Sequence, residues 1–275
     1  MTDTKRKGAR SIKDIPVNIL EQLNRGEIES ANLVEFLGVN RKILIENLLT
    51  QSDRGHYLPL IFEHIDRLQK ITANTINEAI CIGISEQITL YNDNELLRFF
   101  STHPSDIVRC MATNIIGRNK ELSVGQMLDK IRPFATDRHF NVRECAWADT
   151  RGYIAQNLIE SLSLLTSWAT DENENIRRFA SEVSRPRGVW SVHIAELKEN
   201  PELGLSILEP LKSDNSKYVR DSVGNWLNDA SKSKPEFVIE LCERWRNESD
   251  TVETDYIIKK ALRTIEKEKR SSSYN

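Results

Sequence analysis

Cysteine is scarce in this sequence. Its 275 residues hold four, Cys81, Cys110, Cys145 and Cys242, and no two of them form a Cys-x-x-Cys pair. That spacing excludes a disulfide frame and a cysteine-built zinc site, and it leaves small core residues of a reducing compartment. The five histidines (His56, His64, His103, His139 and His193) show neither HExxH spacing nor a cluster, so no metal site and no cofactor is expected. No run of 18 apolar residues occurs, which argues against a membrane-spanning helix. The opening MTDTKRKGARSIK is basic but lacks the apolar core of a secretory signal. We therefore expect a cytoplasmic monomer with no membrane partner, whose residues 1–14 form a basic disordered arm. An excess of charge of one sign is missing as well. Lys and Arg total 38 against 41 Asp and Glu, a formal net charge of −3, so a basic binding surface must arise from segregation of charge along the fold. Alternating strand patterns are also lacking.

What is present is a repeated phrase. SDIVRCMATNII, NVRECAWADTRGY, NENIRRFASEVS and KYVRDSVGNWLN each carry an apolar residue followed by Arg, at Val108-Arg109, Val142-Arg143, Ile176-Arg177 and Val219-Arg220. The intervals are 34, 34 and 43 residues. A unit of that length is the signature of stacked helical hairpins, none of which can bury its apolar face alone. The fold class read from this is all-α, a HEAT-like helical-repeat solenoid. One domain is expected over 15–270, regular from about residue 95, with 271–275 as a tail. LSVGQMLDKIRPFA, NLIESLSLLTSWA, PELGLSILEPL and PEFVIELCERW read as first helices of the hairpins, and DYIIKKALRTIEKEKR as one closing helix. Before residue 95 the helical stretches lack the phrase and read as degenerate repeats and a cap, with Gly26 and Gly38 as helix stops.

The register makes odd residues visible. Counted from the Val or Ile of each phrase, core positions fall at offsets 0, 3, 4, 7 and 8. In the second phrase offset 7 is Asp149, where the others carry Ile115, Val183 and Trp226. A carboxylate in an apolar stripe must be hydrogen-bonded or paired. Asp149 is thus either a satisfied structural group, capping a helix or pairing with Arg151, or an acid facing a ligand. The arginines of the phrase suit an architectural ladder from repeat to repeat. Arginines and lysines outside that slot are the candidates for a ligand surface: Arg185 and Arg187 in SRPRGVW, with Lys217, Lys259, Lys260 and Arg263. Of the five tryptophans, Trp168 and Trp245 end first helices and read as core. Trp147 lies at offset 5, off the stripe, and Trp190 follows the Arg-Pro-Arg break. For these two, stacking on a nucleobase and ordinary packing both stand.

RRFASEVSRPRGVW, YVRDSVGNWLNDASKSKPEFVIELCERW and IIKKALRTIEK resemble the bacterial DNA alkylation repair glycosylases of the AlkC/AlkD type, over about residues 100–265. The RRxASExxRPR phrase points to the AlkC side. The resemblance implies a C-shaped superhelix that grips duplex DNA on a basic concave face. It also implies release of N-alkylated purines such as 3-methyladenine or 7-methylguanine, without a metal. On this resemblance Glu182 matches an acid of the AlkC-type site and Trp226 an aromatic position of the AlkD-type cleft. Arg185 and Arg187 would reach phosphates, together with Arg151, Lys217, Lys259, Lys260 and Arg263. Trp147, Trp190 and Trp226 would meet the lesion. In the AlkC-type pattern an acid precedes an Arg-Pro-aromatic step by four residues. Here the step reads Arg151-Gly152-Tyr153 and Trp147 holds the acid's place, with Asp149 the neighbouring substitute. Two other functions compete with excision. One is a non-catalytic repeat protein on distorted or branched DNA; the other is a protein-binding scaffold.

Overall fold

The computed structural model describes residues 6–188 and 191–272, and all the regular structure among them is helical. In chain order the α-helices are α1 (Val17–Asn24), α2 (Leu33–Gly38), α3 (Arg41–Gln51), α4 (Leu58–Asp66), α5 (Ala73–Tyr91), α6 (Asn94–Ser101), α7 (Asp106–Arg118), α8 (Val124–Ala135) and α9 (Phe140–Gln156). There follow α10 (Leu158–Trp168), α11 (Glu174–Val183), α12 (Ala195–Glu199), α13 (Leu205–Leu208), α14 (Lys217–Ser231), α15 (Pro235–Glu248), α16 (Val252–Ala261) and α17 (Arg263–Ser272). No helix among the described residues is long and apolar enough to cross a membrane.

Local chemistry sets the boundaries. Asn32, Asn40, Asp93 and Thr251 each accept a hydrogen bond from a first-turn amide, while Thr72–Thr75 and Ser123–Gln126 form reciprocal capping boxes. Gly26, just past α1, has φ of 71°, a conformation that side chains disfavour. Pro235 occupies the first turn of α15, where its missing N–H leaves nothing unpaired.

The helices gather into two compact units. One takes in the described chain up to Arg118 together with Arg138–Ala146; the other takes in Asn119–Asp137 and the described chain from Trp147 onward. Helix α9 runs through both units, its residues to Ala146 in the first and from Trp147 in the second. In the first unit, Asp106 is fully buried and accepts from Ser30 N (2.9 Å), Ser30 Oγ (2.6 Å) and Asn141 Nδ2 (3.2 Å), with His139 Nδ1 at 3.4 Å. Glu35, also fully buried, receives Arg6 through two bonds of 2.6 Å and the amide of Ala31 at 2.8 Å. From Arg6 onward, therefore, the expected free arm is tied down, and its last residues form a short 3-10 turn at Ile12–Asp14. Residues 1–5 lie outside the described chain.

The arginine of the repeated phrase has one job in every copy. Arg109 donates to His103 O, Arg143 to Arg138 O, Arg177 to Asp171 O and Arg220 to Asp214 O, each reaching back to the turn before its own helix. Arg177 also pairs with the carboxylate of Asp214 in the next turn, at 2.6 Å and 3.0 Å. These bonds satisfy turn carbonyls that no helix would satisfy.

The long interval of 43 residues has a visible cause. After α11 the chain adds the segment around Arg185–Ile194 and α12, and the expected helix PELGLSILEPL is broken into 3-10 turns at Pro201–Gly204 and Glu209–Leu211 around the four-residue α13. The Trp226 ring lies over Gly204, where an added Cβ would fall 2.4 Å from the indole. The chain bends there to admit the ring. The expected closing helix is likewise two, α16 and α17, divided at Leu262.

Candidate functional site

A stripe of Ile176, Phe179, Ala180 and Val183 buries one face of α11. Glu182 follows on that buried side, next to Ser222 of α14, and is only 4% exposed. Its Oε1 accepts from Arg185 Nη1 at 2.6 Å, its Oε2 from Ser222 Oγ at 2.7 Å, and Arg178 Nη2 stands 3.8 Å away. Ser222 Oγ in turn accepts from Ser181 Oγ at 2.8 Å. Arg185 turns its other edge to Asp229 of α14, at 2.9 Å from Nε and 2.7 Å from Nη2, and Lys232 Nζ lies 3.4 Å from the same carboxylate. Two buried carboxylates therefore share one buried guanidinium. Burial alone would push Arg185 down, but Glu182 and Asp229 outweigh it and raise its pKa. Such a group holds only when every charge is hydrogen-bonded, since removal of one partner strands the others without water.

Arg151, on the second-unit part of α9, clamps the segment that carries this network. Only 1% exposed, it donates Nη1 to Val183 O (2.6 Å), Nε to Val192 O (2.8 Å) and Nη2 to Arg185 O. Burial, with Arg185 nearby, lowers its guanidinium to about 10, which still leaves it charged at neutral pH. An added Cβ on Gly188 would come within 2.9 Å of Arg151 Nε, so a side chain there would force the guanidinium or its neighbour to shift. Two expectations are corrected. Arg151 and Arg185 do not face a phosphate: their hydrogen-bonding edges are turned inward, to backbone carbonyls in one case and carboxylates in the other. Nor does Arg151 pair with Asp149.

The aromatic residues also depart from expectation. Trp226 is fully buried, with Nε1 donating to Ser184 O at 3.0 Å, so it is packing and not a lesion contact. Trp147, expected off the apolar stripe, is 6% exposed, because α9 buries Ala146, Trp147, Thr150, Arg151 and Ile154. Asp149, expected within that stripe, is half-buried instead. Trp190 lies outside the described residues. Trp168 and Trp245 are core as expected; Trp168 meets Phe179 at 5.0 Å between centroids, and Trp245 Nε1 donates to Glu209. The half-buried aromatic beside the acidic centre is Tyr218, with Arg178 4.2 Å over its ring.

The remaining cations reach the surface. Arg187 is half-buried, with Nη2 donating to Ser233 Oγ at 2.7 Å. Arg263 donates to Asn225 at 2.9 Å, Lys259 is exposed, and Lys217 and Lys260 meet at Asp221. Glu182 thus stands in a built acidic centre, whereas Arg187, Lys217, Lys259, Lys260 and Arg263 keep a solvent-facing part. The sequence reasoning missed Asp229, Ser222, Tyr218 and Asp221. For Ser222 a signal existed, a hydroxyl at offset 3 of an apolar stripe. Asp229 and Asp221 have no comparable sign. Among the described residues no group of three or more His, Cys, Asp or Glu side chains could hold a metal ion.

Residues 141–265 match the family model described as DNA alkylation repair enzyme. An uncharacterized protein of Bacillus subtilis (strain 168), YhaZ, is 40% identical over 138 residues, which are 50% of this chain and 36% of that protein. The Pseudomonas fluorescens alkylpurine DNA glycosylase AlkC, solved bound to DNA containing an abasic site analog, matches with a TM-score of 0.63 and 24% identity. That match covers 94% of this chain and 65% of that one. AlkD2 from Streptococcus mutans matches with a TM-score of 0.56 and 24% identity, over 75% of this chain and 96% of that one. The chain therefore spans about a third of the Bacillus subtilis relative and just under two thirds of AlkC. The helical-repeat fold is that of AlkC and AlkD2, and the segment 141–265, which matches the DNA alkylation repair enzyme model, contains Glu182 and its partners.

Proposed function

We propose that this protein binds duplex DNA and hydrolyses the N-glycosidic bond of N-alkylated purines, with Glu182 as the carboxylate that stabilises the sugar cation. The observation that carries this reading is the acidic centre: Glu182 and Asp229 share Arg185 beneath the surface of α11 and α14. An N3- or N7-alkylated purine is already a cationic leaving group. Catalysis then needs a fixed negative field near the anomeric carbon and a positioned water, not a strong acid. Arg185 and Ser222 fix the orientation of Glu182, and burial strengthens its field. Asp149, half-buried on α9, is the second candidate acid. Arg187, Lys217, Lys259, Lys260 and Arg263 are the candidate phosphate contacts. AlkC, whose fold this chain shares, was solved on DNA, which supports the choice of partner.

A second reading draws on a specific observation. Trp147 stands where the AlkC-type pattern carries an acid, and both carboxylate oxygens of Glu182 are already bonded. A protein with its acids so engaged would recognise distorted DNA without excision. One experiment separates the two. Methylated duplex is incubated with the protein, and released 3-methyladenine is measured beside binding at low salt. Release by the wild type, reduced at least about a hundredfold in Glu182→Gln, supports excision through this carboxylate. Release by Glu182→Gln at the wild-type rate removes Glu182 from the mechanism. Binding without release supports the second reading.

A further inference from the structure

The third rung of the arginine ladder differs from the fourth. Arg177 pairs with the carboxylate of Asp214, but Arg220, its counterpart in the next repeat, has only the carbonyl of Asp214. Its Nε is buried without a hydrogen-bond partner. Its guanidinium lies 5.6 Å from the ring centroid of Tyr256 on α16. The ring is flanked by two more cations, Lys217 Nζ at 5.4 Å and Lys260 Nζ at 6.0 Å.

One carboxylate serves this group. Asp221 Oδ2 accepts from Lys217 Nζ at 2.8 Å, and its Oδ1 accepts from Tyr256 Oη at 2.6 Å and Lys260 Nζ at 2.5 Å. The three donors come from both helices, and α16 approaches closely because the stem of Lys260 passes over Gly224. Burial pushes the Asp221 carboxyl up, but Lys217, Lys260 and the Tyr256 hydroxyl hold it well below the usual carboxylate range. Among the described residues no other carboxylate pairs with Lys217, Arg220 or Lys260. The group carries three positive charges against one. The side chains of Lys217 and Asp221 remain 66% and 31% exposed, so a solute anion can reach them.

We propose that Lys217, Arg220, Lys260 and the Tyr256 hydroxyl form an anion subsite for one phosphate of a DNA backbone, and that Asp221 occupies it as an internal competitor. Asp221 keeps the two ammonium groups and the hydroxyl converged on one point in the absence of ligand. An arriving phosphodiester must displace or outbid it, which weakens non-specific binding. That the phosphate belongs to DNA rests on the DNA-binding reading above; the subsite itself stands on the geometry of α14 and α16.

The test measures duplex binding by fluorescence anisotropy as a function of salt, with tripolyphosphate binding measured by calorimetry alongside. Each neutralised phosphate adds about 0.9 to the slope of log K against log salt. For Asp221→Asn we expect duplex binding roughly fivefold tighter and a slope steeper by about 0.9. For Lys217→Ala with Lys260→Ala we expect weaker binding and a slope shallower by roughly 1 to 2. If neither variant changes the slope, the subsite is refuted. If the wild type binds no duplex at low salt but tripolyphosphate affinity follows the order Asp221→Asn, wild type, double lysine variant, the subsite holds and the DNA reading falls. If neither ligand distinguishes the variants, the subsite falls whatever the fate of that reading. Should Asp221→Asn not fold, the double lysine variant decides alone, since Lys217 is mostly exposed and Lys260 partly so.

Discussion

Asp106 in the first unit and the Glu182–Asp229 pair in the second are buried carboxylates whose surroundings differ in kind. In the first, Asp106 accepts from an amide, a hydroxyl and a carboxamide, and among the described residues no guanidinium is in hydrogen-bonding contact with it. It ties Ser30 to α7 and to the start of α9, across 76 and 35 residues of chain. In the second, Glu182 and Asp229 depend on one guanidinium that both must share. The first arrangement is distributed, so no single partner is essential. The second is concentrated: Arg185 bridges both acids, with Ser222 beside Glu182 and Lys232 beside Asp229 as lesser partners. Neutral donors distribute the work of solvating a charge, whereas a shared counter-ion couples the acids it joins.

The largest expected effect tests that contrast directly. Arg185→Met should destabilise the protein by about 3–5 kcal/mol in urea unfolding, because two buried carboxylates lose their common partner. Adding Glu182→Gln and Asp229→Asn should recover most of the loss. In the first unit Asn141→Ala should cost about 1–2 kcal/mol, since Asp106 keeps its bonds from Ser30. Equal losses at Arg185 and Asn141 would show that the two networks are built alike.

A middle-sized effect comes from His103 in the first unit. Its Nδ1 accepts from the Ser105 amide at 3.2 Å, and burial, with Arg109 nearby, lowers its pKa from 6.5 to about 4. The folded state therefore keeps the ring neutral where the unfolded chain takes up a proton. The contribution is complete above pH 6.5 and is lost as pH falls through about 4, amounting to about 3 kcal/mol. Stability measured from pH 7 to 4 should fall less steeply in His103→Gln. An identical pH profile would exclude this histidine as a source of acid sensitivity.

The smallest effect sharpens the comparison within the ladder. Arg177→Ala, which loses a carboxylate partner and two carbonyl bonds, should cost about 1–2 kcal/mol in thermal unfolding. Arg220→Ala, which loses one carbonyl bond, should cost less than about 1 kcal/mol. A larger loss at Arg220 would mean that its role is chiefly structural.

The repeat was legible because an architectural arginine recurs beside an apolar residue at a helical spacing. The ladder expected from repeat to repeat is seen at Arg177, which reaches Asp214 of the next turn, while all four arginines hold the turn before their own helix. Helix boundaries were legible where a cap or a left-handed residue marks them, as at Gly26. The inward turn of Arg151 and Arg185 was not, because their partners include backbone carbonyls of a non-repeating segment, and carbonyls leave no trace in a sequence. Trp226 and the break at Gly204 explain each other, yet 22 residues separate them and neither is unusual alone. Glu182 could be found by resemblance, but not Asp229, which matters only through the arginine between them. Asp221 resembles an ordinary surface pair with Lys217 until Lys260 arrives from 39 positions away.

The chain visits its two units in turn, leaving the first at Arg118, returning for Arg138–Ala146 and departing again inside α9. A cut at either crossing gives no intact half: stopping at residue 118 removes nine residues from the first unit, including Asn141, and starting at 147 removes α8 from the second. The polypeptide is laced, not beaded. A cut meant to separate the two parts at either crossing therefore leaves one of them incomplete.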